Sequence, residues 1–328
     1  MKKILTTAMV LGSLMNVANA METTRITSPL YMPKAGDTLS ETKLGYYDED
    51  YKYDRYSGTT DDYGADVSHM TIREDMSYGI RDDWSFNFGF VFDFDQERDR
   101  DYATNTNDTS YEDDADFHNT YFGLTKRFID NTFKLDGMAK IYMQENDNTF
   151  AESNSLPRNE SVEVAVRAGF EVYEDMYDTA LTLGYKFMAE DTATSSTSAT
   201  TTESETDNQM DWYVKWENQF NPIAGFDFGV NVEYRKIDEY ESVSKTAGVI
   251  NVGTSSFEIQ KHDVWTYDAD VNYTFKEKYA VGAYIEYKDY ENVAAYLLNA
   301  SGGIGATPYS TDKDRDSMEY GIKTSIKF

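Results

Sequence analysis

The 328-residue sequence contains no cysteine and only five prolines. The absence of cysteine excludes disulfide bonds, thiol redox chemistry, cysteine nucleophiles and cysteine-ligated zinc. The scarcity of proline argues against a proline-rich linker protein. Basic residues are also few, with 30 Lys and Arg against 59 Asp and Glu and a formal net charge of −29. Because nucleic-acid phosphates require a basic surface, no nucleic-acid partner is expected.

Long hydrophobic runs are missing as well. No stretch after the N-terminus reaches about 18 uninterrupted apolar residues, so no membrane-spanning helix is expected. At the N-terminus, two lysines precede an uncharged, mostly apolar stretch from Ile4 to Val17, and Ala18-Asn19-Ala20 fits the small-x-small cleavage pattern. These features predict a secretory signal peptide over residues 1–20, followed by a periplasmic N-terminal segment over residues 21–37. A short membrane anchor is the alternative, but the apolar stretch is short for a span.

Aromatic residues, in contrast, are abundant. The chain has 27 Tyr, 18 Phe and 4 Trp, and a disordered acidic chain would be poor in all three. Many of them alternate with polar residues. Phenylalanine occupies positions 86, 88, 90, 92 and 94, interleaved with Ser85, Asn87, Gly89, Val91 and Asp93. Because successive side chains of a strand face opposite sides, this alternation predicts a strand with one apolar and one mostly polar face.

Twelve segments show such alternation. They cover residues 38–47, 65–80, 84–94, 118–128, 133–143, 160–172, 179–188, 210–220, 226–236, 262–275, 279–289 and 317–328. Short turns follow the even-numbered segments, and polar loops of more than ten residues follow the odd-numbered ones. This layout predicts an all-β fold, a single up-and-down antiparallel transmembrane β-barrel of about 12 strands over residues 38–328.

A soluble β-sandwich is the alternative fold. It would bury the apolar face between two sheets, and its loops would not sort by length so regularly. Aromatic residues also flank the short turns, as in the interfacial girdle of a membrane barrel. They are Tyr78, Trp84, Phe128, Phe133, Phe220, Phe226, Phe275 and Tyr279. The membrane barrel is therefore favoured.

The C-terminal segment ends at Phe328. Met318, Tyr320, Ile322, Thr324 and Ile326 lie on the same face of this predicted strand. The segment resembles the closing strand of Gram-negative outer-membrane β-barrels, and the resemblance to this porin-like superfamily covers nearly the whole mature chain by pattern. It implies an outer-membrane location with both termini in the periplasm, and contact with outer-membrane lipid and lipopolysaccharide. It also implies that the barrel-assembly machinery reads Tyr320, Ile326 and Phe328 as an assembly signal.

One residue departs from the pattern. Glu74 falls on the apolar face of the second predicted strand. A bulge around Arg73 to Asp75, or a shifted strand, is expected there.

Catalytic constellations are scarce, since the chain has only three histidines. Ser68 and His69 are adjacent in a predicted strand and point to opposite faces, so they form no nucleophile–base pair without a bulge. His118 and His262 lie where loops meet strands and have no spaced partner. We therefore expect no enzymatic activity, no catalytic residue and no cofactor.

The long loops are acidic or of low complexity. The loop from Asp95 to Asp116 is strongly acidic, and a solvated loop is the favoured interpretation. The pattern at Asp312, Asp314 and Asp316 lacks the Gly and terminal Glu of a calcium loop, so no metal site is expected. The Thr- and Ser-rich loop over residues 189–209 is predicted to be mobile.

The polar face of the predicted strands lines the lumen. Its pore-lining basic residues are Arg73, Lys140, Arg167, Lys186, Lys215 and Lys323. Its pore-lining acidic residues are Asp93, Glu233, Asp268, Asp270 and Glu286. Because strands adjacent in sequence are adjacent in the barrel, one wall is predicted to be mainly basic and the facing wall acidic. That arrangement resembles the constriction of general porins.

A twelve-stranded barrel has an intermediate size, since about eight strands are filled by side chains and about sixteen leave an open channel. Inward glycines, such as Gly89 and Gly184, favour open space, although they can also be bend points. The sequence predicts a porin-like channel for passive diffusion of small hydrophilic solutes or ions. The alternatives are a lumen plugged by its own salt bridges, a structural or surface-interaction protein with acidic extracellular loops, and an outer-membrane lipid hydrolase.

Overall fold

The computed structural model describes residues 25–55, 61–102, 108–112, 116–145, 159–172, 176–196, 200–248, 252–291, 293–297 and 310–328. The predicted signal peptide lies outside these residues, as do parts of the acidic loops. Within the described ranges, no helix has the length and apolar character needed to cross a membrane.

The described chain consists almost entirely of strands. In chain order they are β1 (Thr38–Arg55), β2 (Asp61–Arg81), β3 (Trp84–Tyr102), β4 (Asp108–Glu112), β5 (Asp116–Asp130), β6 (Phe133–Glu145), β7 (Asn159–Val172), β8 (Tyr177–Met188), β9 (Asp191–Ser196), β10 (Thr200–Thr206), β11 (Gln209–Ile223), β12 (Phe226–Ile237), β13 (Tyr240–Gly248), β14 (Val252–Ile259), β15 (His262–Phe275), β16 (Tyr279–Tyr290), β17 (Ala294–Leu297) and β18 (Ser310–Lys327). Strands β4, β9, β10, β13, β14 and β17 lie in the long connections, and the other twelve form a wall.

The wall is a closed barrel. Each wall strand pairs antiparallel with the next wall strand along the chain. Strand β18 pairs with β1 from Leu39↔Lys327 to Arg55↔Ser310, which closes the sheet. The predicted all-β, up-and-down antiparallel barrel of about 12 strands is confirmed.

The bounds of the wall strands follow the alternation in the sequence. Strand β6 covers Phe133–Glu145 and β16 covers Tyr279–Tyr290, within two residues of the predicted ends. Strands β1, β2, β3 and β18 extend several residues further than predicted. Their extensions are rich in charged residues, so the alternation of apolar and polar residues does not mark them.

The described residues of the 189–209 loop contain two strands. Strand β9 pairs with β10, and β10 pairs in turn with β13, which extends the sheet beyond the wall. The mobility of this loop stays a prediction. Both strands are rich in threonine, whose β-branched side chain suits extended backbone, but they lack the apolar face by which strands were recognised.

The two ends of the barrel differ. Short connections, such as residues 82–83, 131–132 and 276–278, lie at one end, called here the turn end. The long connections and their extra strands lie at the other, called the loop end. Strand β1 begins and strand β18 ends at the turn end.

The apolar face of the wall points outward. Leu183, Val166 and Ile322 on this face are between 52% and 55% exposed, whereas the inward Asp136, Lys186 and Asp211 are at most 2% exposed. A soluble barrel has the reverse arrangement, because it buries apolar side chains away from water. An apolar outer surface around a polar interior is the arrangement of a barrel that spans a membrane.

Glu74 lies on the outward face without a bulge. The pairing of β2 with β1 and with β3 runs in regular register through Arg73, Glu74 and Asp75, so the predicted bulge or shift is wrong. The carboxylate accepts hydrogen bonds from Ser40 Oγ at 2.5 Å and Thr42 Oγ1 at 2.6 Å, both on β1. These hydroxyls compensate a carboxylate that faces an apolar environment, so the strand can keep its register.

Candidate functional site

The lumen is the candidate site, and tyrosine rings line its wall. Tyr213 on β11 is paired with Gly184 on β8, and Tyr121 on β5 is paired with Gly89 on β3. A β-carbon at either glycine would overlap the ring of its partner. Each ring therefore lies flat on the neighbouring strand, and the prediction that these glycines mark open space is wrong at both positions. The flat orientation nevertheless keeps the rings out of the centre of the lumen.

The ring hydroxyls reach carboxylates one strand further along the wall. The Tyr213 hydroxyl donates to Glu163 Oε1 on β7 at 2.7 Å, and the Tyr121 hydroxyl donates to Asp75 Oδ1 on β2 at 2.5 Å. The Tyr284 hydroxyl on β16 donates to Glu319 Oε1 on the directly paired strand β18 at 2.6 Å. Each hydrogen bond to a carboxylate fixes the ring along the wall.

Cations lie over the Tyr213 and Tyr121 rings, and also over the ring of Tyr142 on β6. The Arg235 guanidinium lies 5.3 Å from the Tyr213 ring centroid, Lys140 Nζ lies 4.6 Å from that of Tyr121, and Lys186 Nζ lies 5.0 Å from that of Tyr142. These distances are in the range of cation–π attraction. For Tyr213 and Tyr121 one ring face covers the wall, so the glycine, the ring and the cation form layers from the wall towards the lumen.

Three basic residues lie side by side near the seam between β1 and β18. Lys43 is in register with Lys323 on one side and with Arg73 on the other. Arg73 is 2.5 Å from Glu319 Oε2 and 3.9 Å from Glu286 Oε2, and Lys323 is 3.2 Å from Asp270 Oδ2. Arg73 and Lys323 are among the predicted pore-lining residues, whereas Lys43, which strand parity also places on the inward face, is not.

The remaining predicted charges also have partners of the opposite sign or polar partners nearby. Lys215 is 3.1 Å from Glu217, Arg235 is 3.1 Å from Glu233, and Arg167 is 2.7 Å from Asp136. Asp268 accepts a hydrogen bond from Asn231. Acidic and basic side chains therefore lie closer together around the wall than the predicted division into one basic and one acidic wall implies. Arg73 is the clearest case, since it contacts Glu286 from the other group.

The middle of the lumen keeps contact with solvent. Four basic side chains there are between 26% and 31% exposed to solvent, namely those of Lys43, Arg73, Lys215 and Lys288. At the turn end, in contrast, the side chains of Arg25, Asp178 and Asp227 retain only 3% to 4%. The described lumen is thus accessible at mid-height and occluded at the turn end.

The N-terminal segment causes this occlusion. Arg25 lies between two wall carboxylates, with Nη1 3.4 Å from Asp178 Oδ2 and Nε 3.6 Å from Asp227 Oδ1. Thr27 Oγ1 donates to Asp227 at 2.9 Å, and Ser28 Oγ donates to Asp178 at 2.5 Å. No sequence pattern predicts these contacts of the segment over residues 21–37, because they join positions about 150 to 200 residues apart.

A second buried network supports the turn end. Asp136, which is 1% exposed, is 2.8 Å from Arg127 Nε and 2.7 Å from Arg167 Nη2. Arg127 also donates to the backbone oxygen of Leu30 at 2.7 Å. The network therefore connects β5, β6 and β7 with the N-terminal segment.

His69 and His262 are the two histidines whose side chains the structure describes. The His69 ring stacks on Tyr47 with centroids 4.6 Å apart, and its Nε2 lies 3.3 Å from Asp93 Oδ2. His262 is buried, and its Nδ1 lies 3.1 Å from the backbone oxygen of Gln260. The side chain of His118 lies outside the described residues. The absence of enzymatic activity stays a prediction.

The predicted assembly signal lies on the outer surface. Tyr320 and Phe328 are exposed, and Ile326 is on the same outward face of β18. Recognition by the barrel-assembly machinery stays a prediction.

Comparison with known proteins gives no family. No family model matches the chain, and no curated protein matches it. Among solved structures, the outer membrane protease OmpT from Escherichia coli is 9% identical with a TM-score of 0.48, covering 89% of this chain and 97% of that one. An outer membrane channel from Pseudomonas putida F1 is 10% identical with a TM-score of 0.49, covering 91% and 97%. Proteolysis and conduction are properties of those proteins. At the level of the fold, the chain is a closed twelve-stranded antiparallel barrel.

Proposed function

We propose that the protein is a porin-like outer-membrane channel for passive diffusion of small hydrophilic solutes or ions. One observation carries the proposal: charged side chains at mid-height, including Arg73 and Lys215, remain partly exposed inside the barrel. The tyrosine rings support it, because they lie along the wall instead of across the lumen. A barrel whose interior only stabilised the wall would gain more by burying these charges in complete pairs or by replacing them with apolar residues.

Conductance of the refolded protein in a planar bilayer tests this function. We expect discrete conductance steps with weak cation selectivity, because the acidic loops enrich cations at the loop end. The selectivity should decrease as salt rises and screens these loops. The measurements are single-channel current and the reversal potential across a salt gradient.

A structural or surface-interaction barrel is the second candidate. The occlusion of the turn end by Arg25 and its neighbours favours it, since a permanently closed mouth would prevent passage. A bilayer current that is absent from the wild-type protein, and also from variants that open the turn end, would support this second candidate. Activity towards phospholipid would instead support the lipid hydrolase.

We further propose that the turn end, with both termini, faces the periplasm and that the loop end faces outward, towards lipopolysaccharide. In intact cells, a thiol at Glu239→Cys, at the loop end, should react with a membrane-impermeant maleimide. A thiol at Glu277→Cys, in a turn, should react only after the outer membrane is permeabilised. Both glutamates are exposed, so accessibility within the protein is matched. The opposite labelling pattern would reverse the orientation.

A further inference from the structure

The segment from Arg25 to Asp37 crosses the turn end of the lumen from one side of the wall to the other. It begins at Asp178 on β8 and Asp227 on β12, where Arg25 Nη2 also donates to the backbone oxygen of Gln219 on β11 at 3.5 Å. It ends beside β2, where Gly79 N donates to the backbone oxygen of Asp37 at 2.9 Å. The segment therefore contacts opposite parts of the wall.

The middle of the segment is held as closely as its ends. The Leu30 side chain is 1% exposed and occupies the space beside Gly169 on β7, where a β-carbon would overlap it. Two backbone hydrogen bonds, from Ser28 N to the oxygen of Arg25 at 3.1 Å and from Tyr31 N to the oxygen of Ser28 at 3.0 Å, make residues 25–31 a compact turn. A compact turn fills the mouth better than extended chain would.

The two wall carboxylates, Asp178 and Asp227, require a cation as counter-charge. Asp178 and Asp227 belong to different strands, face the same space and are almost fully buried. Two ionised carboxylates without a counter-charge are costly at such a site. One planar guanidinium can contact both carboxylates at the same time, because its N–H groups point in several directions within one plane. Arg25 supplies that group from the same chain.

We propose that residues 25–31 form a plug that closes the turn end of the lumen, and that Asp178 and Asp227 form a guanidinium-binding site which Arg25 occupies. Displacement of the plug opens the mouth and leaves the site to soluble cations that carry a guanidinium group. The effect on conduction rests on the proposed channel function, whereas the position of the plug does not.

The test uses the full chain with Arg25→Glu, which places a third carboxylate against Asp178 and Asp227 and expels the plug. Lys34→Glu is the matched control, because it makes the same charge change in the same segment at an exposed side chain. A reporter thiol at Gln219→Cys, in the cysteine-free chain, measures access to the mouth. We expect Arg25→Glu to speed modification of this thiol by an impermeant maleimide roughly tenfold or more relative to Lys34→Glu.

The same variants then separate the two proposals. Arg25→Glu should also raise the bilayer conductance. Added guanidinium chloride should reduce this conductance and slow the labelling of the thiol, whereas sodium chloride at the same ionic strength should do neither. Adding Asp178→Asn and Asp227→Asn should remove this block. Faster labelling without any current would support the plug and contradict the channel. Equal labelling rates in Arg25→Glu and Lys34→Glu would overturn the plug. Faster labelling of Arg25→Glu that guanidinium does not slow would overturn the guanidinium-binding site.

A cross-linking experiment covers the case in which Arg25→Glu does not fold. The pair Ser28→Cys and Asp178→Cys should be joined by oxidation or by a short thiol-specific cross-linker in the folded barrel. Ser28→Cys with Asp263→Cys, on the outward face of β15 towards the loop end, is the control. Cross-linking of the first pair supports the plug, and its absence in folded protein would contradict it.

Discussion

Replacing Asp136 with alanine is expected to lower the free energy of unfolding by about 3–5 kcal/mol, the range typical of breaking a buried ion pair. Asp136 accepts hydrogen bonds from both Arg127 and Arg167, and all three side chains are largely buried. Its removal leaves two guanidinium groups without their common carboxylate. Equilibrium unfolding of the refolded protein in lipid vesicles with urea, followed by tryptophan fluorescence, measures the loss.

A neighbouring pair provides the control for this prediction. Lys134 and Glu171 form an ion pair on the adjacent strands, but the Glu171 side chain is 39% exposed. Glu171→Ala should therefore cost no more than about 1 kcal/mol. Similar unfolding free energies for Asp136→Ala and Glu171→Ala would mean that the buried network does not stabilise the barrel.

Replacing Gly184 with alanine is expected to reduce conductance by roughly half or more, because the pore radius controls passage. The new β-carbon would overlap the Tyr213 ring, which now lies flat on β8. The ring must then leave the wall and project into the lumen. Single-channel recording of Gly184→Ala in the Arg25→Glu background, in which the turn end is expected to be open, measures the reduction against Arg25→Glu alone.

Adding Tyr213→Ala to this variant tests whether the tyrosine ring causes the reduction. If the displaced ring is what narrows the lumen, the double variant Gly184→Ala with Tyr213→Ala should recover the lost conductance. Gly137→Ala, on the outward face, is the matched glycine control and should leave conductance unchanged, since its β-carbon would approach Phe128 outside the barrel. A double variant as narrow as Gly184→Ala alone would refute the role of the ring.

The wall could be predicted from the sequence because its signal is local. Alternation with a period of two, as in Phe86 to Phe94, marks a strand whose faces meet different environments, and turn length then gives the connectivity. The pairing of β9 with β10 was not predicted because both segments consist mainly of threonine, serine and acidic residues, so their sequence shows no alternation of apolar and polar positions. Glu74 was expected to bend its strand because the pattern could not reveal the hydroxyls of Ser40 and Thr42 on the neighbouring strand.

The site was less predictable because its geometry depends on register between strands. Tyr213 and Gly184 are both visible in the sequence, but only the pairing of β11 with β8 brings them together. Lys140 and Lys186 were correctly identified as inward residues by strand parity, yet their positions over Tyr121 and Tyr142 required coordinates. No local sequence pattern predicts the position of Arg25, because its partners Asp178 and Asp227 lie far along the chain.

The seam between β1 and β18 also constrains the order of folding. It pairs Leu39 with Lys327, residues separated by almost the whole described chain. Contacts of such sequence separation form slowly, because a long loop must be closed before they stabilise anything. Until β18 is available, β1 presents an unpaired edge that can template association with other chains. Protection of the β1 edge therefore waits for β18, and any delay in their pairing lengthens the period in which the chain is prone to aggregation.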